Sequence, residues 1–314
     1  MIVTGEFLRI DGRFIPYLAR LGPDGSVDPS FTAGPDSRIF VAALQPDGKL
    51  LIGGEFHQIR SRNQPFLARL NPDGSPDGTF HPILVNPVYT LLLQPDGDIV
   101  VESSPTPYLM GGGVMRFHSD GTLDTGFQVS IGSPSPLGSL LLQADGGIIL
   151  GGSLVSIQGE PQSSLARIRG DGTLDTAFSP PSMSVWGVSL QPDGGLLVGD
   201  ADNFPGLVRL TPSLQAVSRL VLDGSTVRWE RDGGAPELRD VTFELSADGT
   251  TWGAPVIARK TPGGWEAQGV PLSPQVRIRA TGWGVGSPVE VGGLVAAYFG
   301  PPFVITPPRG ESLD

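Results

Sequence analysis

The residues best suited to chemistry are aspartates that return in pairs four positions apart: Asp24 and Asp28, Asp73 and Asp77, Asp120 and Asp124, Asp171 and Asp175, each pair inside an Asp-Gly-Ser/Thr-x-Asp phrase. Such carboxylates suggest calcium or paired acid–base work. Calcium takes about six to eight oxygens, and each phrase offers only two carboxylates, so Ca2+ stands as an alternative and no other cofactor is implied. An Asp ahead of Gly in a turn bonds its own backbone, and that turn role is the expectation here. Arg20, Arg69, Arg116, Arg167 and Arg209 also recur once per repeat, which predicts structural pairing with the aspartates. Glu6, Glu55 and Glu102 are conceivable carboxylates for glycoside hydrolysis, a chemistry that needs two carboxyl groups at a set separation. Glu6 and Glu55 are repeat-equivalent, which favours a structural role for both. His57, His81 and His118 occupy unequal repeat positions, so no shared metal ring follows, and spacing alone yields no Ser-His-Asp triad. Gly111-Gly112-Gly113 lacks a following Lys-Ser/Thr and reads as a loop. No catalytic residues are assigned, and an enzyme is not expected.

Composition narrows the partners. With 21 basic and 32 acidic residues the net charge is −11, and Lys49 and Lys260 are the only lysines. A basic stripe able to neutralise phosphates is missing, which argues against nucleic acid. Cysteine is absent, which removes disulfides, thiolate nucleophiles and Cys-ligated zinc together. The longest apolar stretches, such as Ile39–Leu44 and Leu294–Phe299, are far shorter than the roughly 20 residues that span a bilayer. Met1–Phe7 carries Glu6 and no apolar segment behind positive charge, so it does not read as a signal peptide.

The elements that must position these residues come from an internal repeat. Gln45-Pro46-Asp47-Gly48 returns at Gln94, Gln143 and Gln191, spacings of 49, 49 and 48. A second phrase keeps the same period: Arg20 through Phe31, Arg69 through Phe80, Arg116 through Phe127, and Arg167 through Phe178. Within a repeat, Ile39–Leu44 and Leu50–Phe56 flank a turn with Pro at its second position and Gly at its fourth, the chemistry of a hairpin closed by a type I turn and glycine bulge. Phe66–Leu70 supplies a third strand, and the segment ending at Phe80 is a candidate fourth. Three or four antiparallel strands repeated every 49 residues describe a β-propeller blade. Glycine (45) and proline (31) exclude helical bundles and become the turn inventory of these blades.

These phrases resemble the delta-60 repeat family of bacterial proteins, whose units carry Gln-Pro-Asp-Gly-Lys, a run ending in Gly-Gly-x-Phe, and an Ala-Arg-Leu-Asn-x-Asp-Gly-Ser tail. Gln45–Lys49, Gly53–Phe56 and Ala68–Phe80 match closely, whereas Glu102-Ser103 and Thr211-Pro212-Ser213 depart from the pattern. The resemblance implies a secreted or surface propeller and brings no common activity with it.

Met1–Phe31 aligns with Leu50–Phe80, so the chain opens inside a unit that lacks its first strand. About five blades, or an incomplete ring, are expected, with Leu214–Leu222 the nearest segment to supply the missing strand. After Ser218 the period stops, and Trp229, Trp252, Trp265 and Trp283 fall in this last third. Arg219–Leu222, Thr226–Glu230, Val241–Ser246, Gly264–Gln268, Val276–Ala280 and Gly293–Phe299 read as strands of a β-sandwich, similar to a fibronectin type III or immunoglobulin-like module.

The expectation is thus an all-β chain: a propeller over 1–217, a small sandwich over 218–300 and a Pro-rich tail over 301–314. Loops that differ between repeats would form the interaction face, among them Leu8–Pro16, His57–Pro65, Ser104–Gly112, Val155–Ser163 and Ala201–Pro205, with Arg60, Arg62, Tyr108, Glu160 and Asp202 as candidate contacts. The function expected is non-enzymatic binding, adhesion or scaffolding outside the cell, toward a protein or glycan ligand. A sugar-binding or carbohydrate-active propeller with channel carboxylates and a subunit of a larger assembly are the alternatives.

Overall fold

The computed structural model describes residues 1–103, 113–133, 135–162, 164–200, 206–211, 216–272, 276–284 and 290–297. Tyr108, Asp202, all of Ser104–Gly112, Ala201–Pro205 and the tail 301–314 lie outside them. Every regular element among the described residues is a β-strand.

Each repeat is built as its turn chemistry requires. At Gln45-Pro46-Asp47-Gly48 the Gly48 N–H donates to the Gln45 carbonyl at 3.0 Å and the Gln45 N–H to the Lys49 carbonyl at 2.8 Å. Gly48, Gly97, Gly146 and Gly194 all have φ between 83° and 94°, the left-handed conformation that glycine reaches without a Cβ penalty. The hairpin joins Ile39–Leu44 to Leu50–Gly54, which pairs on its other edge with Leu67–Leu70. The segment to Phe80 forms no fourth strand in this repeat, whereas Leu123–Gly132 does so beside Gly113–Phe117 in the next. Between the second and third strands, within segments whose sequence predicts loops, lies a tiny hairpin: Arg9–Ile10 with Arg13–Phe14, Gln58–Ile59 with Arg62–Asn63, and Ser156–Ile157 with Glu160–Pro161. Positive φ at Asp11 and Gly12, Arg60 and Ser61, and Gln158 and Gly159 marks its turn as the twist-matched type.

By contact, Met1–Leu140 with Leu150–Gly187 forms one compact body, and Leu141–Ile149 with Val188–Asp314 a second. In the first body the middle strands are buried on both faces because alternate residues serve different cores. Leu50 and Ile52 join Leu18, Phe31 and Phe56 in one cluster, while Leu51 joins Val88, Ile99, Val101 and Phe117 in the other. Each fully buried Leu or Ile contributes about 1.5–3 kcal/mol relative to exposure.

A polar latch holds the sheets in phase. Arg69 donates from Nε to Asp77 at 2.7 Å and from Nη1 to the Ser119 carbonyl of the following repeat at 2.5 Å, with its guanidinium 4.7 Å from the centre of the Phe80 ring. Arg20 repeats this with Asp28, Pro72 and Phe31, and Arg116 with Asp124, Gly170 and Phe127. Arg167 pairs with Asp175 at 2.5 Å. Arg209, where Thr211 stands outside the Asp-Gly pattern, pairs instead with Asp193 and Gln191.

The second body contains a sandwich of two four-stranded antiparallel sheets. Ala216–Asp223, Thr226–Gly233, Gly264–Ala267 and Arg259–Thr261 form one; Val256–Ile257, Leu238–Ser246, Arg277–Gly284 and Glu290–Ala297 form the other. Val227, Trp229, Val241, Phe243, Trp265, Ile278 and Ala280 fill the space between. The pairing of Ala216–Asp223 with Thr226–Gly233 corrects the expectation that Leu214–Leu222 completes the first repeat. Eight register pairs around Asp223-Gly224 make a local hairpin, whose loop closes at lower entropic cost than a distant pairing.

Two outcomes follow from the latch. Arg69 and Asp77 have side chains 9% and 6% exposed, so Arg69→Met removes one of the two cations on a buried carboxylate, leaves Lys49 as the other, and lowers unfolding free energy by about 2–3 kcal/mol. Arg209 and Asp193 are 45% and 58% exposed, and Arg209→Met costs under about 1 kcal/mol; urea unfolding measures both. Hydrogen bonds from Ser30, and then Arg20, lower the Asp28 carboxyl to about 2. Burial opposes ionisation of Asp77, but bonds from Lys49, Thr79 and Arg69 outweigh it and leave that carboxyl well below its usual value. Folded pKa values below unfolded ones mean stability that is complete above about pH 4 and drains away as pH falls toward 2. Asp28→Asn, less stable near neutrality, shows a shallower decline of urea midpoint over that interval.

Candidate functional site

The first strands of two consecutive repeats carry an irregularity that the repeat itself does not require. Ile39 pairs with Gly54 and Val41 with Gly53, which leaves Phe40 as the extra residue of a β-bulge. Val88 pairs with Ser103 and Thr90 with Glu102, which leaves Tyr89 in the same place one repeat later. A bulge kinks its strand and re-aims the inserted side chain, and here both inserted residues are aromatic. The rings of Phe40 and Tyr89 stack in parallel, 4.9 Å between centroids and 8° between planes. The same phase of the next two repeats holds Gly138 and Trp186, and Trp186 is 79% exposed. A Cβ on Gly138 would lie 2.5 Å from the Trp186 carbonyl oxygen, so the close approach of that backbone explains the missing ring. Gly54 has the matching role behind the bulge, where an added Cβ would meet the Arg38 carbonyl at 2.1 Å.

Charged groups border the two stacked rings. Arg38, just before the bulge, donates from Nη1 to Glu6 at 2.6 Å and from Nε to Glu55 at 3.0 Å. The repeat-equivalent glutamates Glu6 and Glu55 thus share one guanidinium, whose pKa is raised first by the Glu6 hydrogen bond and then by the Glu55 charge. The same guanidinium lies 5.9 Å from the Phe40 ring centre. Burial, and then the Glu55 and Glu102 carboxylates, push the Tyr89 phenol above its usual value. Glu102 itself is fully buried in the middle strand, at the register position opposite Thr90.

The residues singled out from sequence are placed differently. Arg60 donates from Nε to the Thr32 carbonyl at 2.7 Å and bonds the Thr32 hydroxyl as well, so it ties its hairpin to the preceding segment. Arg62 and Glu160 occupy the same position of the small hairpin two repeats apart, both exposed, and no ion pair joins them among the described residues. The paired aspartates are divided in role. Asp24, Asp73, Asp120 and Asp171 accept from the N–H and hydroxyl of the Ser or Thr two residues on, and Asp28, Asp77, Asp124 and Asp175 pair with arginine. His118 Nδ1 lies 3.2 Å from Asp98, and the His57 ring meets the edge of Phe66. The aromatic row was missed although its phase is visible: Phe40, Tyr89 and Trp186 each stand five residues before the Gln that opens the turn.

Residues 1–31, 45–80, 94–127 and 143–178 match the model of a family described as a β-propeller domain of unknown function, DUF5122. No curated protein matches the chain. The crystal structure of the extracellular domain of a hybrid two-component system from B. thetaiotaomicron is similar over 92% of this chain and 48% of that one, at 11% identity and a TM-score of 0.35, so this chain spans about half its length. The protein is all-β, and its repeats are those of a β-propeller.

Proposed function

We propose that this β-propeller is a non-enzymatic binding and scaffolding protein that works outside the cell, and that its ligand face is the row of first-strand aromatics. One observation carries the reading: the same backbone bulge in consecutive repeats presents an aromatic side chain at one phase, beside glutamates clamped by a shared arginine. Bulges interrupt ladder pairing, and their recurrence beside an aromatic is what a recognition surface requires of a rigid sheet. Glu6 and Glu55 are tied to Arg38, a structural arrangement rather than a proton-transfer pair. The extracellular placement and the delta-60 assignment rest on the repeat phrases, and so does the division into a propeller over 1–217 and a fibronectin type III or immunoglobulin-like sandwich over 218–300. The small hairpins that carry the exposed Arg62 and Glu160 serve as secondary contacts in this reading.

A panel of extracellular polysaccharides and matrix proteins, immobilised and probed with the purified chain, tests the face. At least one ligand is retained, the Phe40→Ala/Tyr89→Ala/Trp186→Ala variant loses roughly tenfold in affinity or more, and Arg62→Ala/Glu160→Ala retains it. Binding that survives the first variant and fails in the second returns the ligand face to the hairpins.

A second reading, a subunit of a larger assembly, draws on Ile2–Thr4. This strand pairs with Leu18–Arg20 alone among the described strands, whereas its repeat-equivalent Leu50–Gly54 pairs on both edges. An edge of this kind is a template for a strand from another chain. Light scattering over a concentration series decides it: self-association or co-elution with a partner supports the assembly, and a monomer that captures none removes it.

A further inference from the structure

Resting on the aromatic row as ligand face, we propose that its ligand is a neutral β-linked pyranose polysaccharide. The rings set the first requirement. Trp186 is 79% exposed and supplies the open platform, while Phe40 and Tyr89 are half-buried and stacked on each other, so each ring has one face covered by the other. An aromatic face is electron-rich, so it attracts a surface whose hydrogens are weakly positive and whose shape is flat. The C–H face of an equatorially substituted pyranose has both properties.

The polar groups set the second. A sugar's hydroxyls radiate around the ring edge and need acceptors and donors together when they leave water. Glu6 and Glu55 provide acceptors, and Arg38 provides the donor fork between them. Glu6 is 74% exposed at its side chain and Glu55 30%, so hydroxyls can reach both while the Arg38 pairing stays intact.

Charge sets the third. The chain carries −11 overall, and Glu6 and Glu55 share one guanidinium beside the stack. A uronate chain would meet like charge here. Nucleobases stack on aromatic faces too, but their phosphates require a run of cations, and Arg38 beside the stack is already paired with Glu6 and Glu55. The row is also periodic, one side chain per repeat with the third place empty at Gly138, and a polymer with repeating units can contact several such places at once, which adds avidity without new contact types.

Calorimetric titration of the full chain with cellohexaose, laminarihexaose and xylohexaose, with polygalacturonate as the anionic comparison, tests the assignment. At least one neutral hexaose binds saturably, polygalacturonate binds more weakly, and Trp186→Ala reduces hexaose affinity roughly tenfold. Because Trp186 is exposed, its replacement leaves the unfolding transition in place, and Trp186→Phe restores most of the affinity. Glu55→Gln keeps an acceptor and weakens binding less than Glu55→Ala. No saturable binding of any hexaose, while the row variant still loses a protein ligand of the panel, sinks the carbohydrate assignment and leaves the ligand face standing. Hexaose binding that is unchanged in the row variant overturns both.

Discussion

The guanidinium of Arg69, held between the Asp77 carboxylate and the Phe80 ring while it donates to the Ser119 carbonyl of the following repeat, is the interaction on which the first body depends. Hydrophobic burial between successive sheets is strong and indifferent to direction. It would tolerate several offsets of one sheet against the next. A buried charge tolerates few, because it must keep its partners or leave the interior. By repeating at Arg20 and Arg116, the latch gives consecutive sheets one common offset, and the alternating faces of Leu50–Gly54 then meet the correct neighbours.

That rigidity makes the bulges useful. A bulge in an isolated hairpin would slip between registers, since nothing would select one extra residue over another. Here the middle strand is buried on both sides, and Gly54 lets the backbone at Arg38 come close enough to hold the insertion at Phe40. The next repeat departs from the glycine pair with Glu102-Ser103, yet Ser103 donates to the Asn86 carbonyl at 3.3 Å and the bulge returns at Tyr89. Two local solutions hold one outward geometry, so the aromatic position is a property of the scaffold and not of a single loop.

Much of this was legible in the residues. The hairpin turns, the Asx bonding of Asp24, Asp73, Asp120 and Asp171, and the pairing of Arg20, Arg69, Arg116 and Arg167 with aspartates all follow from short-range chemistry at a repeated spacing. The loops were a different matter. Arg60-Ser61 has neither the Gly nor the Asn that announces a tight hairpin, and only the equivalence with Asp11-Gly12 and Gln158-Gly159 reveals its turn. Leu214–Leu222 reads as a spare strand because its apolar pattern fits either sheet, and the short loop at Asp223-Gly224 settles its described part, from Ala216 on, in the sandwich.

By itself the sequence determined the repeat, the strand and turn inventory, the acidic surface and the structural employment of the recurrent Arg and Asp residues, because each depends on neighbours within a few positions or on composition. Only tertiary structure decided that Phe40 and Tyr89 are the inserted residues of bulges, that their rings stack, and that Glu6 and Glu55 meet on Arg38 from adjacent repeats. A register slip of one residue changes no local propensity, yet it turns a side chain from one face of a sheet to the other. That choice is made by the sheets packed on either side.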